Sequence, residues 1–174
     1  MDKPMSGLAF KFMSLGFKFR DFFRPRKNIL KEAGINTGFH VLDYGCGPGS
    51  YLTAASAMAG KTGKIYALDA HPLAVRMVQK IVTRKHLQNL ETILSDCKTG
   101  LPDNSLDIIL LYDTLHSLEN PDCVLEELGR TLKPGGILSV SDHHLKEVEL
   151  VSRLTGKGLF KLVRKGKNTC SFTK

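Results

Sequence analysis

The sequence has few cysteines and no long apolar run. Both features limit the classes of protein, membrane, secreted or cytoplasmic, to which the chain can belong. Its apolar stretches fall short of the roughly 18 residues of a membrane-spanning helix, and Lys11, Lys18 and Arg20 interrupt the N-terminal segment where a signal peptide would be apolar. The four cysteines are Cys46, Cys97, Cys123 and Cys170. They form no Cys-x-x-Cys pair, which predicts reduced thiols. These absences predict a cytoplasmic protein.

Acidic residues are scarce at both ends of the chain. Residues 1–27 carry seven Lys or Arg against two acids, residues 153–174 carry seven against none, and the residues between them carry eleven against fifteen. Basic ends are compatible with an anionic membrane surface, RNA or an acidic substrate, although solvated charge is the commoner explanation. Aromatic residues do not interleave with the C-terminal cations, which disfavours nucleic acid as a partner.

The 174 residues, 42% of them hydrophobic, suit one α/β domain without repeats or low-complexity linkers. Their patterning alternates between helix and strand periods. Helices are predicted near residues 6–23, 27–33, 50–58, 72–84, 121–132 and 146–153. Strands are predicted near residues 39–43, 64–69, 91–95, 106–112 and 136–141, with a final hairpin over 159–164 and 169–173.

The most informative segment is the run from Val41 to Gly49, where an apolar strand ends in Asp43 and alternating glycines come next. Glycine gives the backbone conformational freedom and lets a ligand approach closely. A glycine-rich turn alone is also found in many loops that bind nothing. Its meaning therefore depends on the residues at the ends of the other strands.

Each of the first four predicted strands of the sheet has an acid at or just past its carboxyl end: Asp43, Asp69, Asp96 and Asp113. In an open parallel sheet these ends form the ligand-binding edge, so the carboxylates should converge on one crevice. Asp69 lies near the position from which an acid reaches a ribose diol. Such a crevice favours the cationic S-adenosylmethionine over a dinucleotide pyrophosphate.

Four motifs resemble those of the class I S-adenosylmethionine-dependent methyltransferases: Val41–Ser50, Ala67–Asp69, Leu94–Cys97 and Leu128–Leu138. The resemblance extends from about Gly38 to the C-terminus. It implies a Rossmann-like, seven-stranded, mostly parallel sheet with helices on both faces and the last strand antiparallel. Within the class the chain looks most like the small-molecule branch that contains ubiquinone/menaquinone-biosynthesis and arsenite methyltransferases. It also implies an N-terminal lid or cap over residues 1–37 and a methyltransferase domain over residues 38–174.

The resemblance further implies where the cofactor S-adenosylmethionine binds. Asp43 and the glycine loop would hold its methionine part, Asp69 its ribose hydroxyls, and Asp96 its adenine amino group, with Cys97 beside it. The implied cofactor-binding residues are Asp43, Tyr44, Gly45, Cys46, Gly47, Gly49, Tyr51, Asp69, Ala70, His71, Asp96, Cys97 and Tyr112. His71 is also the expected start of a helix, because Pro72 suits a first turn.

The predicted catalytic residues come after the fourth and fifth strands. They are His116, His143, His144 and Tyr112. Imidazole titrates near neutrality, so one of the histidines could act as a base or orient the substrate. Alternatively the histidines are exposed loop residues and Asp142 caps a helix. No metal is predicted, because these histidines and Asp113 lack a recognisable metal spacing.

The N-terminal segment concentrates apolar side chains, with Phe10, Phe12, Met13, Leu15, Phe17, Phe19, Phe22 and Phe23 inside fourteen residues. One helical face cannot hold them all. A lid over a small apolar ligand, core packing or a homodimer contact, and a membrane-surface helix all remain open. The chain is accordingly expected to be a monomer or a homodimer.

Three functions are compatible with the sequence. The first is methyl transfer to a small phenolic, quinone-like or thiol acceptor; arsenite is disfavoured because Cys123 and Cys170 lie far from the cofactor motifs. The second is RNA or protein methylation through the basic ends, although an Asn-Pro-Pro-Tyr tetrad is absent at Leu111-Tyr112-Asp113-Thr114. The third is a non-catalytic subunit that binds S-adenosylmethionine.

Overall fold

The computed structural model describes residues 26–174, which form a seven-stranded sheet with helices on both faces. The helices are α1 (Arg26–Ala33), α2 (Leu52–Ala59), α3 (Pro72–Lys85), α4 (Pro121–Thr131) and α5 (Glu147–Thr155), with a 3₁₀ turn at Leu115–Ser117. The strands are β1 (His40–Tyr44), β2 (Lys64–Asp69), β3 (Leu90–Leu94), β4 (Leu106–Tyr112), β5 (Leu132–Ser141), β6 (Lys161–Lys165) and β7 (Cys170–Thr173).

The strand order β3-β2-β1-β4-β5-β7-β6 confirms the predicted fold class. The first five strands are parallel, and β7 is antiparallel to both β5 and β6. The order reverses beside β1, which pairs with β2 on one side and β4 on the other. Ligands bind at such a switch point, outside the carboxyl ends of the strands. The loop after β1 occupies this point.

Alternate residues of the central strands pack into two cores, one on each face of the sheet. Leu42, Ile109 and Val140 lie in the core that α4 and α5 cover. Val41 and Leu110 lie in the core that α1, α2 and α3 cover. Because both faces are buried, β1 and β4 are nearly continuous apolar runs, as is usual for parallel strands between helices. Only their carboxyl ends carry polar groups into the crevice.

The helix starts result from local capping chemistry. His71 accepts a hydrogen bond from the backbone of Leu73 through Nδ1, and Pro72 opens α3. Asn120 caps α4 in the same manner, through the backbone N–H of Cys123. Predicted boundaries agree with these ends to within a few residues, except that β5 begins at Leu132 rather than near residue 136.

Strand β5 begins early because its first residue already pairs with β4, ahead of a shift in the register between the two strands. Leu132 pairs with Leu106, and the regular register resumes only where Ile137 pairs with Ile108. The sequence between these points contains Pro134 and the positive-φ Gly135, which locally predict a turn. Tertiary pairing with β4 therefore extends the strand through residues that favour a turn.

A single carboxylate joins α1 to the C-terminal hairpin. Glu32 accepts hydrogen bonds from the backbone N–H groups of Asn168 and Thr169, both at 3.0 Å, and from both of their side chains. A Cβ at position 166 would lie 2.4 Å from the Glu32 carboxylate, so a larger residue there would displace this side chain. We call this arrangement, Glu32 with Asn168 and Thr169, the terminal clasp.

The predicted helix over residues 6–23 lies outside the described residues. The lid assigned to residues 1–37 therefore stays a prediction, and so does membrane contact through the Phe-rich segment. None of the helices within residues 26–174 has the length and apolar content that crossing a bilayer requires.

Candidate functional site at the carboxyl edge of the sheet

The glycine loop after β1 is fastened to the end of β2. The backbone N–H groups of Gly45 and Cys46 both donate to the carbonyl of Leu68, at 2.8 and 2.9 Å. Gly45 has a φ of +75°, and a Cβ at this position would lie 2.4 Å from Thr114 Oγ1. Glycine is thus required by the backbone conformation and by the close approach of the loop after β4.

Asp69, at the end of β2, organises the middle of this loop. Its Oδ2 accepts the backbone N–H of Gly47 at 2.8 Å, and its Oδ1 accepts the backbone N–H of His71 at 2.8 Å. A carboxylate has about four acceptor positions, so two remain for a ligand. Asp69 is half-buried. Ala70, next in the chain, is exposed at the same edge.

The loop after β3 is held toward β1 through Tyr44. The Tyr44 hydroxyl donates to the carbonyl of Asp96 at 2.8 Å, which leaves the exposed Asp96 carboxylate to face solvent or a ligand. Burial, together with the Asp96 charge, raises the pKa of the Tyr44 phenol. The phenol therefore stays protonated and keeps donating. Asp43, Asp69 and Asp96 are consequently carried on adjacent strand ends, as the sequence predicts.

Helix α4 anchors the rest of the loop after β3. Glu127, 1% exposed, accepts the backbone N–H and the hydroxyl of Thr99 at 2.8 and 2.7 Å. Arg130 donates to the Glu127 carboxylate and to the carbonyl of Leu101. These contacts fix the segment that carries Asp96.

A disulfide between Cys97 and Cys123 provides a second anchor to α4. The prediction that all four cysteines are reduced is wrong for this pair. Cys97 comes after β3 and Cys123 lies in the first turn of α4, with a Cα distance of 6.3 Å. The two cysteines are 26 residues apart in the sequence, so their proximity in space cannot be recognised from the sequence. Cys46 and Cys170 are free and buried. Cys97, predicted to lie beside adenine, is thus held in place by a covalent link.

The Glu127 anchor makes stability depend on pH. Hydrogen bonds from Arg130 outweigh the opposing effect of burial and, with those from Thr99, lower the pKa of Glu127 to about 2 from its ordinary 4.5. Since the folded-state pKa lies below the unfolded one, the carboxylate stabilises the fold above about pH 4.5. That contribution, about 3 kcal/mol, disappears as pH falls toward about 2. We expect Glu127→Gln to lose this pH dependence, measured by urea unfolding at several pH values.

Glu149→Gln is the matched control, because Glu149 pairs with Arg153 on the exposed surface of α5. Exposed pairs contribute about 0–1 kcal/mol, so this variant should keep the acid dependence of the parent. Identical slopes of unfolding free energy against pH in parent and Glu127→Gln would contradict the anchoring role.

The floor of the crevice is buried and aromatic. Asp43 is 2% exposed. Tyr112 shares a hydrogen bond of 2.8 Å with the hydroxyl of Ser139, and its ring packs edge-on against Tyr51 at 5.0 Å. Burial raises the pKa of Tyr112, and also that of the Cys46 thiol. Both groups therefore stay neutral, and Cys46 does not present a nucleophilic thiolate to a bound electrophile.

Two histidine–aspartate contacts cross between the loops after β4 and β5. His116 Nδ1 lies 2.9 and 3.0 Å from the Asp142 carboxylate oxygens. His143 Nδ1 lies 2.5 Å from Asp113 Oδ1. The His144 ring packs on that of His116 with a centroid distance of 4.1 Å. The structure thus brings all three predicted histidines to one edge.

Asp142 is the residue of this group that the sequence did not identify. Helix α5 is capped at Lys146 and begins at Glu147, so Asp142 is not its cap. Its fully buried side chain contacts His116 instead. Within the part of the chain that the structure describes, no group of three His, Cys, Asp or Glu is arranged to hold a metal ion. Asp113 and Asp142 instead contact the imidazoles of His143 and His116.

Two cavities open at the opposite edge of the sheet. One, of about 420 Å³, includes Asp107, Lys133 and Gly136 at the amino ends of β4 and β5. The other, of about 860 Å³, includes His40 and Lys64 at the amino ends of β1 and β2. Neither cavity includes Asp43, Asp69, Asp96 or the glycine loop, so neither is the candidate site.

Comparison with known sequences identifies methyltransferases as relatives of this chain. The model of a methyltransferase domain matches residues 35–171. A demethylmenaquinone methyltransferase from Geobacillus stearothermophilus is 29% identical over 126 residues, covering 72% of this chain and 54% of the relative. A ubiquinone/menaquinone biosynthesis C-methyltransferase from Hydrogenovibrio crunogenus is 31% identical over 117 residues, covering 66% and 46%. The chain spans about half the length of these curated relatives.

A solved structure matches over most of both chains. The S-adenosylmethionine-dependent methyltransferase from Aquifex aeolicus superposes with a TM-score of 0.76 and is 31% identical. The match covers 85% of this chain and 87% of that one. The similarity therefore extends over most of the chain rather than the glycine loop alone.

Proposed function

Because the chain belongs to the methyltransferase domain family, among the class I S-adenosylmethionine-dependent methyltransferases, we propose that it methylates a small hydroxylated aromatic, quinol-like acceptor. The observation that carries this proposal is the Asp69 carboxylate. It holds the glycine loop through Gly47 and keeps acceptor positions at the crevice. The arrangement suits a ribose diol beside a cationic ligand.

The donor set of the crevice fits S-adenosylmethionine. Asp43, Asp69 and Asp96 lie at or just past the ends of adjacent strands at this edge, where Asp69 would take the ribose hydroxyls and the exposed Asp96 the adenine amino group. Three carboxylates at one edge favour a cationic ligand over a pyrophosphate. When bound, the cofactor supplies a methyl group on a sulfonium, whose bonding pair returns to sulfur as the acceptor's pair forms the new bond.

The protein's own contribution would be alignment and removal of a proton. An in-line transfer needs the acceptor atom within about 3–3.5 Å of the methyl carbon, with water excluded. A hydroxylated ring becomes a stronger carbon nucleophile when its O–H proton is lost. His116, partly exposed at the end of β4, would accept that proton at Nε2.

The names of the relatives support a quinone-type acceptor that is methylated at carbon. One is named as a demethylmenaquinone methyltransferase and the other as a C-methyltransferase of ubiquinone/menaquinone biosynthesis. The pairing of three of the seven C-terminal cations also argues against nucleic acid as the acceptor. Arg153, Lys157 and Lys165 each pair with a carboxylate, on Glu149, Asp122 and Glu147 respectively. These cations are therefore partly neutralised within the fold.

The proposal is tested in two steps with the purified chain. Calorimetry should give micromolar binding of S-adenosylmethionine, with NADH as the competitor that a glycine loop alone would admit. Hydroquinones, simple phenols, thiols and a short RNA are then offered as acceptors, and S-adenosylhomocysteine release is measured together with the mass of the acceptor. We expect methylation of the hydroquinone ring carbon.

Different outcomes would contradict different parts of the proposal. Failure to bind S-adenosylmethionine would overturn it entirely. Binding without transfer to any acceptor would favour the non-catalytic subunit, and methylation of RNA alone would overturn the acceptor class.

A further inference from the structure

We propose that Asp142 is a positioning residue, which holds His116 in the Nδ1–H tautomer and so presents Nε2 as the proton acceptor of the site. The catalytic consequence rests on the proposed function, but the tautomer does not. The two residues lie 26 positions apart, on the loops after β4 and β5. Their juxtaposition is produced by the parallel pairing of those strands, which carries Tyr112 opposite Ser141.

The Asp142 carboxylate is fixed independently of the imidazole. Its Oδ2 accepts the backbone N–H of His116 at 3.0 Å, and its Oδ1 accepts the backbone N–H of His144 at 3.0 Å. The side chain is 0% exposed. A carboxylate pinned by two backbone donors from different loops gives the ring a rigid reference point.

The contact determines which imidazole nitrogen carries the proton. An ionised carboxylate can only accept hydrogen bonds, so the ring nitrogen that faces it must be the donor. His116 Nδ1 faces both oxygens, at 2.9 and 3.0 Å. In the neutral ring Nε2 then has a free lone pair. Because 29% of the His116 side chain is exposed, the ring remains open to the crevice while its partner is sealed from water.

The charged and titratable groups around the ring come from both loops. His144 packs against it at a centroid distance of 4.1 Å. Asp113 lies on the same loop as His116, but its carboxylate is engaged by the ring and the backbone N–H of His143. Asp142 is thus the carboxylate in contact with His116, and the one that would stabilise an imidazolium there.

Proton transfer at this pair conserves charge. The acceptor's O–H bond breaks, its proton goes to Nε2 of His116, and its electron pair enters the ring, whose carbon bonds to the methyl group as the sulfur–methyl bond breaks. The resulting imidazolium lies beside the Asp142 carboxylate. In this transfer step one cationic sulfonium is consumed and one imidazolium formed, so the net charge of the site is unchanged. The methylated carbon afterwards loses its own hydrogen as a proton to solvent, and the oxygen regains a proton from Nε2, which restores the aromatic ring.

The first test needs neither cofactor nor acceptor. Long-range proton–nitrogen NMR correlation on the whole chain, with His116→Gln to assign the signal, should show neutral His116 protonated at Nδ1. Asp142→Asn should give a mixture or the opposite tautomer, and His86→Asn, at the far end of α3, should leave the His116 signal unchanged. An Nε2–H tautomer in the parent protein would overturn the proposal without any variant.

The second test is kinetic. Its substrate is the acceptor that the protein is found to methylate in the assay described under the proposed function. Asp142→Asn should lower kcat by about 100-fold and move the acid limb of the profile of kcat against pH to lower pH. The dissociation constant for S-adenosylmethionine should change by less than about twofold. His116→Gln keeps both backbone contacts of Asp142, so it should fold even where Asp142→Asn does not, with a similar loss of kcat. The double variant should lose little more than either single variant.

Full kcat in a folded Asp142→Asn protein, or additive losses in the double variant, would overturn the positioning role. If the parent shows the Nδ1–H tautomer and yet no acceptor is methylated, the proposed function fails while the pairing of His116 with Asp142 stands.

Discussion

Replacing Asp69 with alanine is expected to weaken S-adenosylmethionine binding by at least about 100-fold. Hydrogen bonds to a charged group contribute about 1.5–3 kcal/mol each, and a ribose diol would form two with this carboxylate. Each 1.4 kcal/mol is about tenfold in affinity. The variant also releases the backbone N–H of Gly47, which loosens the glycine loop. Calorimetric titration of parent and variant gives the ratio directly.

Asp107→Asn is a suitable control for this experiment. Asp107 likewise accepts a backbone N–H, from His40 at 2.8 Å, and pairs with Lys133, but at the amino edge of the sheet. Its replacement should lower stability and leave cofactor affinity unchanged. An Asp69→Ala protein that melts like the parent and binds equally well would show that the ligand does not contact this edge.

Gly45→Ala is expected to cost about 3 kcal/mol of folding free energy and to abolish cofactor binding. A left-handed residue other than glycine costs about 1–2 kcal/mol, and overpacking costs about 1–3 kcal/mol. Both apply here, because φ is +75° and the new Cβ would lie 2.4 and 2.7 Å from the Oγ1 and Cγ2 of Thr114. Thermal unfolding should show a fall in Tm of about 10 °C.

Two further variants separate these causes. Gly47→Ala carries the conformational cost alone, because a Cβ there meets nothing within 4 Å, and its Tm should fall by a smaller amount. The double variant Gly45→Ala/Thr114→Ala removes the clashing atoms and should recover part of the loss, as a favourable coupling energy. Equal destabilisation by the two glycine substitutions, with no recovery, would mean that Thr114 does not restrict the loop.

Much of the fold could be predicted because its signals are local. Strand periodicity, the glycines after Asp43 and the acid at each strand end are all readable within short windows. The resemblance to a known family then implied a seven-stranded, mostly parallel sheet with an antiparallel last strand, which local patterns leave open; the strand order itself comes from the structure. The start of β5 was missed because Pro134 and Gly135 favour a turn locally, whereas pairing with β4 extends the strand.

The unpredicted parts of the site depend on distant residues. The contact between Asp142 and His116 requires that β4 and β5 be neighbours with a particular register, and Asp142 alone looked like a helix cap. The Cys97–Cys123 disulfide was missed for the same reason, since a 26-residue separation carries no information about distance in space. Both contacts link loops through the sheet.

The terminal clasp gives the described chain the topology of a closed ring. Glu32 and Thr169 are 137 positions apart, so fraying of α1 and fraying of the hairpin break the same set of hydrogen bonds. The two segments should consequently open as one cooperative unit with a shared local-unfolding free energy. Since β7 in turn pairs with β5 up to Val140, two residues before Asp142, opening of that unit should also loosen the strand that carries Asp142.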